Sequence, residues 1–100
     1  MKLFLARHAD AIEYTTDTVT NDDLRFLTIK GRIKEIEVTE ILKDYLTDID
    51  MILTSPLIRT VQTAEIIASG IDYTGEIALV NELKFDAHTS SLIDLIKNMV

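Results

Sequence analysis

The sequence contains no cysteine, only one proline, and an N-terminal apolar run of just four residues, Leu3 to Ala6. Without cysteine there can be no disulfide bonds, no thiolate catalysis and no zinc site built on cysteine, although the redox compartment stays undetermined. The apolar run is too short for a signal-peptide core or a membrane span. We therefore expect a cytoplasmic protein with no membrane partner.

Basic residues are also scarce. The sequence has ten Lys and Arg but 17 Asp and Glu, which gives a formal net charge of -7. Nucleic-acid phosphates repel an acidic surface unless a basic stripe overrides it, and the sequence shows no such stripe. A composition of 47% hydrophobic and 27% charged residues is typical of a folded soluble protein. The 100 residues suit a single domain, 1–100.

The apolar pattern predicts strands and helices in alternation, which favours an α/β fold with a mainly parallel sheet. In such a fold, the ligand site lies outside the carboxyl ends of the strands. The polar stretch at 14–23 reads as a surface loop. The predicted strands lie at 2–6, 51–53 and near 77–80, and the predicted helices at about 31–46, at about 56–69 and around Leu92, Ile96 and Met99.

Each of the first two predicted helices has an apolar face. In the first, the face consists of Val38, Ile41, Leu42 and Tyr45, and we expect it to pack on the sheet. In the second, Ser55 is the candidate N-cap, Pro56 takes the first helical position and Gly70 is a candidate stop. The apolar stripe of the second helix consists of Leu57, Val61, Ala64 and Ala68.

Arg7 and His8 follow the first predicted strand directly, so they should lie at the carboxyl edge of the sheet. Neutral imidazole can act as a nucleophile, a general base or a metal ligand. The metal role is the weaker choice because His88 is the only other histidine and no ligand spacing accompanies His8. Arg7 and Arg59, the latter near a helix N-terminus, suit a doubly charged oxyanion, and phosphate fits best.

Five of the candidate residues also have a plain structural interpretation. His8 can be a structural or solvated residue, and both Arg59 and Glu82 can be surface charges. Arg25 can pair with Asp22 or Asp23 in its own loop. His88 fits a turn at the start of the last helix.

Glu82, which follows the third predicted strand, is the candidate general acid if its surroundings raise its pKa.

The segments LFLARHADA, LTIKG and TSPLIRTVQTAEII resemble the histidine phosphatase superfamily, in particular its short phosphohistidine phosphatase branch of the SixA type. The order and spacing agree from Lys2 to about Leu83. The resemblance implies a phosphoglycerate mutase-like three-layer sandwich with a mainly parallel central sheet. We expect no metal or cofactor to take part.

The same resemblance assigns roles to individual residues. His8 would be the nucleophile that takes the phosphoryl group, and Arg7 and Arg59 would bind its oxygens. Arg25 matches an arginine that short members place before their Leu-Thr, so it would add a phosphate contact. Glu82 falls where the superfamily often supplies its acid, although the SixA-type branch is less consistent at that position.

One departure from the family pattern concerns a second catalytic histidine. Family members place it after a further buried strand, whereas this sequence ends at Val100 and His88 does not take its place. We therefore expect the N-terminal two-thirds of the usual domain, with an unpaired edge on the first strand and exposed apolar helix faces. A longer chain or a swapped homodimer would cover them.

These observations leave two functions open. The first is a phosphatase that forms a covalent phosphohistidine at His8. Its substrate would be a phosphorylated protein, such as a histidine-containing phosphotransfer domain, or a small phosphomonoester. The second is a non-catalytic module that binds phosphate through Arg7, His8 and Arg59.

Overall fold

The computed structural model describes residues 2–15, 18–84 and 89–98. Helices alternate with short strands, so the α/β class predicted from the sequence is confirmed for this part of the chain. In chain order the elements are a first 3₁₀ turn (Asp22–Leu24), α1 (Ile29–Leu42), β1 (Ile52–Thr54), α2 (Ile58–Gly70), β2 (Ile77–Leu79), a second 3₁₀ turn (Asn81–Leu83) and α3 (Thr89–Asn98).

The sheet is a parallel pair, β1 beside β2, with α2 as the connection between the two strands. Ile52 aligns with Ile77 and Thr54 with Leu79. The amide of Val80 extends the ladder by donating to the Thr54 carbonyl at 2.8 Å. Both predicted strands are confirmed within a residue or two. The larger central sheet of a three-layer sandwich is not confirmed, because the described residues form a sheet of two strands.

The predicted strand at 2–6 is wrong, since these residues have no strand partner in the described part of the chain. Leu3 is 58% exposed and Leu5 is 84% exposed. An apolar run becomes a strand only where a neighbouring strand accepts and donates its backbone hydrogen bonds. Backbone pairing begins further along, where an antiparallel bridge joins Ala11 to Leu27.

This bridge region supplies the deepest part of a small core. Thr28 donates its amide to the Asp10 carbonyl at 3.0 Å, and Ile12 donates to the Phe26 carbonyl at 2.9 Å. Leu27 between them is only 2% exposed. The buried apolar residues, all on or beside these elements, are Ala11, Leu27, Leu57, Ala64 and Ala68.

Helix α1 packs against α2 through small side chains. The buried Thr39 faces Gly70, where an added Cβ would lie 2.5 Å from Thr39 Cγ2, so glycine permits the close approach. The predicted packing face of this helix is wrong, because Ile41 and Tyr45 are each 72% exposed. The prediction also placed the helix about two residues too late at its start and four too late at its end.

The predicted apolar stripe of helix α2 is confirmed, since Leu57, Ala64 and Ala68 are buried and Val61 is half-buried. Its predicted ends are corrected. Leu57 occupies the N-cap position without a side-chain cap, while the Ser55 hydroxyl lies 2.6 Å from that of Thr60.

At the other end of α2, the helix includes Gly70 instead of stopping before it. The left-handed residue that turns the chain is Asp72, with φ of 57°. The amide of Tyr73 then donates to the Ala68 carbonyl at 2.9 Å, which satisfies one of the last helical carbonyl groups.

The predicted last helix is confirmed as α3, although Met99 lies outside the described residues. In the described part of the predicted loop at 14–23, the first 3₁₀ turn begins at Asp22, and Asn21 caps it by accepting from the Asp23 amide at 2.9 Å. None of the helices in the described ranges is both long and apolar enough to cross a membrane.

Candidate functional site

Arg59 lies in the first turn of α2 and is only 6% exposed. Its Nη1 donates to the Asp22 carbonyl oxygen at 2.9 Å, and its Nη2 donates to Asp22 Oδ2 at 3.1 Å. Its Nε is buried and has no hydrogen-bond partner within the described residues. Asp22 therefore binds Nη1 and Nη2 of the guanidinium group, and Nε remains available as a donor.

Arg25 approaches the same carboxylate from the first 3₁₀ turn. Its Nε donates to the Ile12 carbonyl at 2.6 Å and its Nη1 donates to Asp22 Oδ1 at 3.2 Å. The pairing of Arg25 with Asp22 that the sequence offered as one alternative is thus confirmed. Asp22 bridges the two arginines, with one carboxylate oxygen on each.

The charges around Asp22 change its acidity. Burial raises the pKa of this carboxyl group, but the hydrogen bond from Arg25 and the charge and hydrogen bond of Arg59 outweigh that effect. The net result is a pKa for Asp22 below its ordinary value. The carboxylate is therefore ionised at neutral pH and neutralises part of the charge of the two arginines.

His8 is half-buried, and its Nδ1 lies 2.7 Å from the Ala9 carbonyl oxygen. Because a carbonyl oxygen only accepts hydrogen bonds, this contact requires the proton on Nδ1. The lone pair of the neutral ring then lies on Nε2. This is the tautomer in which Nε2 can act as a nucleophile or a base.

Thr63 connects the His8 segment to α2. Its Oγ1 accepts from the Ala9 amide at 3.0 Å and donates to the Arg59 carbonyl at 2.8 Å. The residue after His8 is therefore bonded to the helical turn that begins with Arg59. The structure thus brings Arg25 and Arg59 together at the N-terminal end of α2 and attaches the segment of His8 to the same helix through Ala9.

Gln62, the neighbour of Thr63, holds a second segment. Its Oε1 accepts from the Leu27 amide at 2.8 Å, next to the loop that carries Arg25. The sequence pattern does not predict Gln62 or Thr63 as site residues. The sequence feature that could have identified them is a pair of neighbouring polar side chains in the helical turn that follows Arg59.

Two other predicted site residues have fewer contacts. Arg7 is exposed and forms no hydrogen bond or ion pair with the described residues. Glu82 is half-buried in the second 3₁₀ turn, just after β2, and no described contact joins it to His8 or to an arginine. That turn does approach the first one, because Lys84 Nζ lies 3.9 Å from Asp23 Oδ2. His88 lies outside the described residues.

A broad concavity lies elsewhere on the described surface. It lies between the loop that follows α1 and the loop that follows α2, and Asp48, Asp72 and Tyr73 are among the residues that line it. This is the C-terminal end of α2, roughly 17 Å along the helix from Arg59. The candidate site lies instead at the N-terminal end of that helix.

The β1–α2–β2 unit, with charged side chains following the carboxyl end of β1, defines an α/β protein of the type that binds ligands at that edge. The model of the histidine phosphatase superfamily (branch 1) matches residues 3–88. The chain therefore belongs to this superfamily, and the resemblance seen in the sequence is confirmed. Among curated proteins, none matches the chain significantly.

Solved structures give the same fold. The protein histidine phosphatase SixA complexed with tungstate has a TM-score of 0.80 at 22% identity, and the match covers 92% of this chain and 56% of that one. A structure assigned as phosphohistidine phosphatase SixA from Agrobacterium tumefaciens has a TM-score of 0.74 at 22% identity, covering 90% and 56%. A third, from Nakamurella multipartitia, has a TM-score of 0.66 at 20% identity, covering 89% and 46%. The chain spans about half the length of these proteins.

Proposed function

We propose that this chain carries the nucleophile and the phosphate-binding arginines of a phosphatase that works through a covalent phosphohistidine at His8. The observation that carries the proposal is the double hydrogen bond of Thr63, which joins the residue after His8 to the backbone of Arg59. Membership in the histidine phosphatase superfamily supports the same reaction class.

In the first step, Nε2 of His8 attacks phosphorus, so a P–N bond forms while the bond to the leaving group breaks. Arg7, Arg25 and Arg59 bind the phosphoryl oxygens and stabilise the charge that spreads over them in the transition state. The leaving group takes a proton from Glu82, the proposed general acid. The hydrogen bond of Nδ1 to Ala9 keeps the ring in the required tautomer.

In the second step, a water molecule attacks the phosphorus of phosphohistidine and the P–N bond breaks. The Glu82 carboxylate accepts the proton of that water, and inorganic phosphate leaves. His8 returns to its neutral form with the lone pair on Nε2. The cycle consumes one water molecule and restores every protein group.

The proposed substrate is a phosphorylated protein, in particular a histidine-containing phosphotransfer domain, or a small phosphomonoester. The side chains of Arg25 and Asp22 beside Arg59 are partly exposed, which favours a protein substrate, because a protein can bring a phosphorylated side chain to residues at the surface. A homodimer is the proposed way of covering the exposed apolar side chains of α1, such as Ile33 and Ile36.

The test is phosphate release from an aryl phosphate by the wild type and by His8→Ala, with His8→Asn as a second variant of similar size. We expect release by the wild type, a phosphoenzyme that is labile to acid, and neither in the variants. Equal rates for the wild type and His8→Ala would remove His8 as the nucleophile.

A second candidate function is a module that binds phosphate without turnover. The favouring observation is that no contact within the described residues joins Glu82, the proposed general acid, to His8 or to an arginine. In that case tungstate raises the melting temperature, but no burst of product and no phosphoenzyme appears. Binding without any release of phosphate decides for this function.

A further inference from the structure

We propose that Asp22 sets the affinity and selectivity of the site, because its carboxylate occupies the arginine positions that a bound phosphoryl group would take. The inference rests on the proposed function, since it concerns the same oxyanion site. In the unliganded protein Asp22 acts as an internal anion. A substrate must displace this carboxylate before Arg25 and Arg59 can bind phosphoryl oxygens.

The geometry of the bridge carries the argument. Asp22 Oδ1 accepts from Arg25 Nη1 at 3.2 Å, and Asp22 Oδ2 accepts from Arg59 Nη2 at 3.1 Å. A phosphoryl group also presents neighbouring anionic oxygens to arginine donors, so the two anions compete for the same N–H groups. Both cannot occupy these donors at once.

The burial of Arg59 explains why an internal anion is present. A guanidinium group that is only 6% exposed needs a compensating negative charge when no ligand is bound. Asp22 is the only carboxylate within ion-pair distance of Arg59 in the described residues. The unpartnered Nε of Arg59 shows that Asp22 leaves one buried donor unsatisfied. An oxyanion with a third or fourth oxygen could use it.

Displacement requires only a local movement. The Asp22 side chain is 42% exposed, so its carboxylate can rotate into water. Arg25 stays in place through its bond to the Ile12 carbonyl, and Arg59 keeps its second bond, to the Asp22 carbonyl oxygen. The arginines therefore remain oriented after the carboxylate leaves them. A dianion displaces Asp22 more readily than a monoanion does, which gives selectivity for doubly charged phosphoryl groups.

The experiment measures tungstate binding by calorimetry at low ionic strength for the whole chain, Asp22→Asn and Asp23→Asn. Asp23 is the matched control, because it belongs to the same turn but lies near Lys84 instead of the arginines. We expect Asp22→Asn to tighten binding by about fivefold, the upper range for an exposed ion pair, and Asp23→Asn to leave it unchanged. Weaker or unchanged binding by a folded Asp22→Asn overturns the inference.

A measurement on the wild type covers the case in which Asp22→Asn does not fold. The ¹³C resonance of the Asp22 carboxyl group should shift at saturating tungstate, while that of Asp23 should not. A resonance of Asp22 that stays in place at saturation overturns the inference. If the wild type binds no tungstate at all, the proposed function fails together with this inference. If it binds tungstate without displacing Asp22, only the inference fails.

Discussion

The Thr63 hydroxyl accepts a hydrogen bond from the Ala9 amide at 3.0 Å, across 54 residues of sequence. The same hydroxyl donates to the Arg59 carbonyl, so one side chain connects the His8 segment with the helix that carries the main arginine. Thr63 itself is buried. It therefore holds the segment of the proposed nucleophile against α2.

Replacing Thr63 by valine should remove both hydrogen bonds at nearly constant volume. The half-buried Ala9 amide then lacks this acceptor, which costs about 1 kcal/mol of unfolding free energy. Because His8 also loses its attachment, we expect kcat on an aryl phosphate to fall more than KM rises. Urea unfolding and steady-state kinetics measure the two effects.

Thr63→Ser is the matched control, since it keeps the hydroxyl and loses only a methyl group. It should recover most of the activity that Thr63→Val loses. Equal losses in the two variants would mean that the methyl group, and not the hydrogen bonds, accounts for the effect.

Arg59→Lys should preserve the charge but not the forked donors. A lysine ammonium group cannot reproduce the paired bonds of Arg59 to the carbonyl oxygen and Oδ2 of Asp22, or bind two phosphoryl oxygens in the same plane. We expect phosphatase activity to fall by about 100-fold, as when one preorganised donor is lost from an oxyanion site. Arg32→Lys, on the exposed surface of α1, is the control and should change the rate little.

Gly31→Ala tests the contact between α1 and the chain that follows His8. A Cβ at this position would overlap the backbone carbonyl of Asp10 and would lie 3.0 Å from Thr28 Oγ1. Alanine normally favours a helix over glycine, so a loss of stability would have to come from this overlap. We expect about 1 to 3 kcal/mol of destabilisation in urea unfolding.

Gly75→Ala is the control for that variant. Its added Cβ would meet the ring end of Tyr73, at 2.5 Å from the hydroxyl oxygen, and a flexible side chain can move away. The unfolding free energy should therefore change little. A Gly31→Ala protein as stable as Gly75→Ala would contradict the close approach of Asp10 to α1.

Asp22 should make stability depend on acidic pH. Its pKa in the folded protein lies below the ordinary value, so the unfolded chain binds the proton more tightly. Its contribution is fully present above the unfolded pKa of about 3.9 and is lost as the pH falls through the folded pKa. Urea unfolding between pH 7 and pH 3 should show a shallower acid decline for Asp22→Asn than for the wild type. Parallel curves would contradict the ion pairs.

Glu35 should have the opposite effect, since burial raises the pKa of its carboxyl group. The folded protein binds this proton more tightly, so the favourable contribution is present at low pH and is lost as the pH rises through the folded pKa. Glu35→Gln should therefore stabilise the protein at pH 7 and lose that advantage under acidic conditions. Glu37→Gln, on the exposed part of the same helix, should show neither effect.

The sequence predicted those parts of the fold that depend on nearby residues. The two parallel strands and the stripe of α2 follow from short patterns, and the pairing of Arg25 with Asp22 needs a separation of only three residues. The bond between Arg59 and Asp22 spans 37 residues, and only the folded chain brings these two side chains together.

The two wrong predictions about the fold also concern contacts between residues that are distant in the sequence. The pattern of residues 2–6 suits a strand, but a strand also needs a neighbour, and the described chain offers none. In α1 the apolar residues predicted a packing face around Ile41. The helix instead contacts α2 at Thr39, because a small side chain opposite Gly70 permits a closer approach than a large apolar one. The spacing of apolar residues along a helix does not indicate that the contact will form at a small polar residue.

The unpaired run before His8 has a consequence for hydrogen exchange. Within the described residues, the amides of residues 3–8 donate no hydrogen bond, whereas the amide of Ala9 donates to Thr63. Amide protons exchange slowly only where a bond must open first. The boundary between fast and protected exchange therefore falls between His8 and Ala9. The exchange rate of this one amide reports how often the segment of the proposed nucleophile separates from α2.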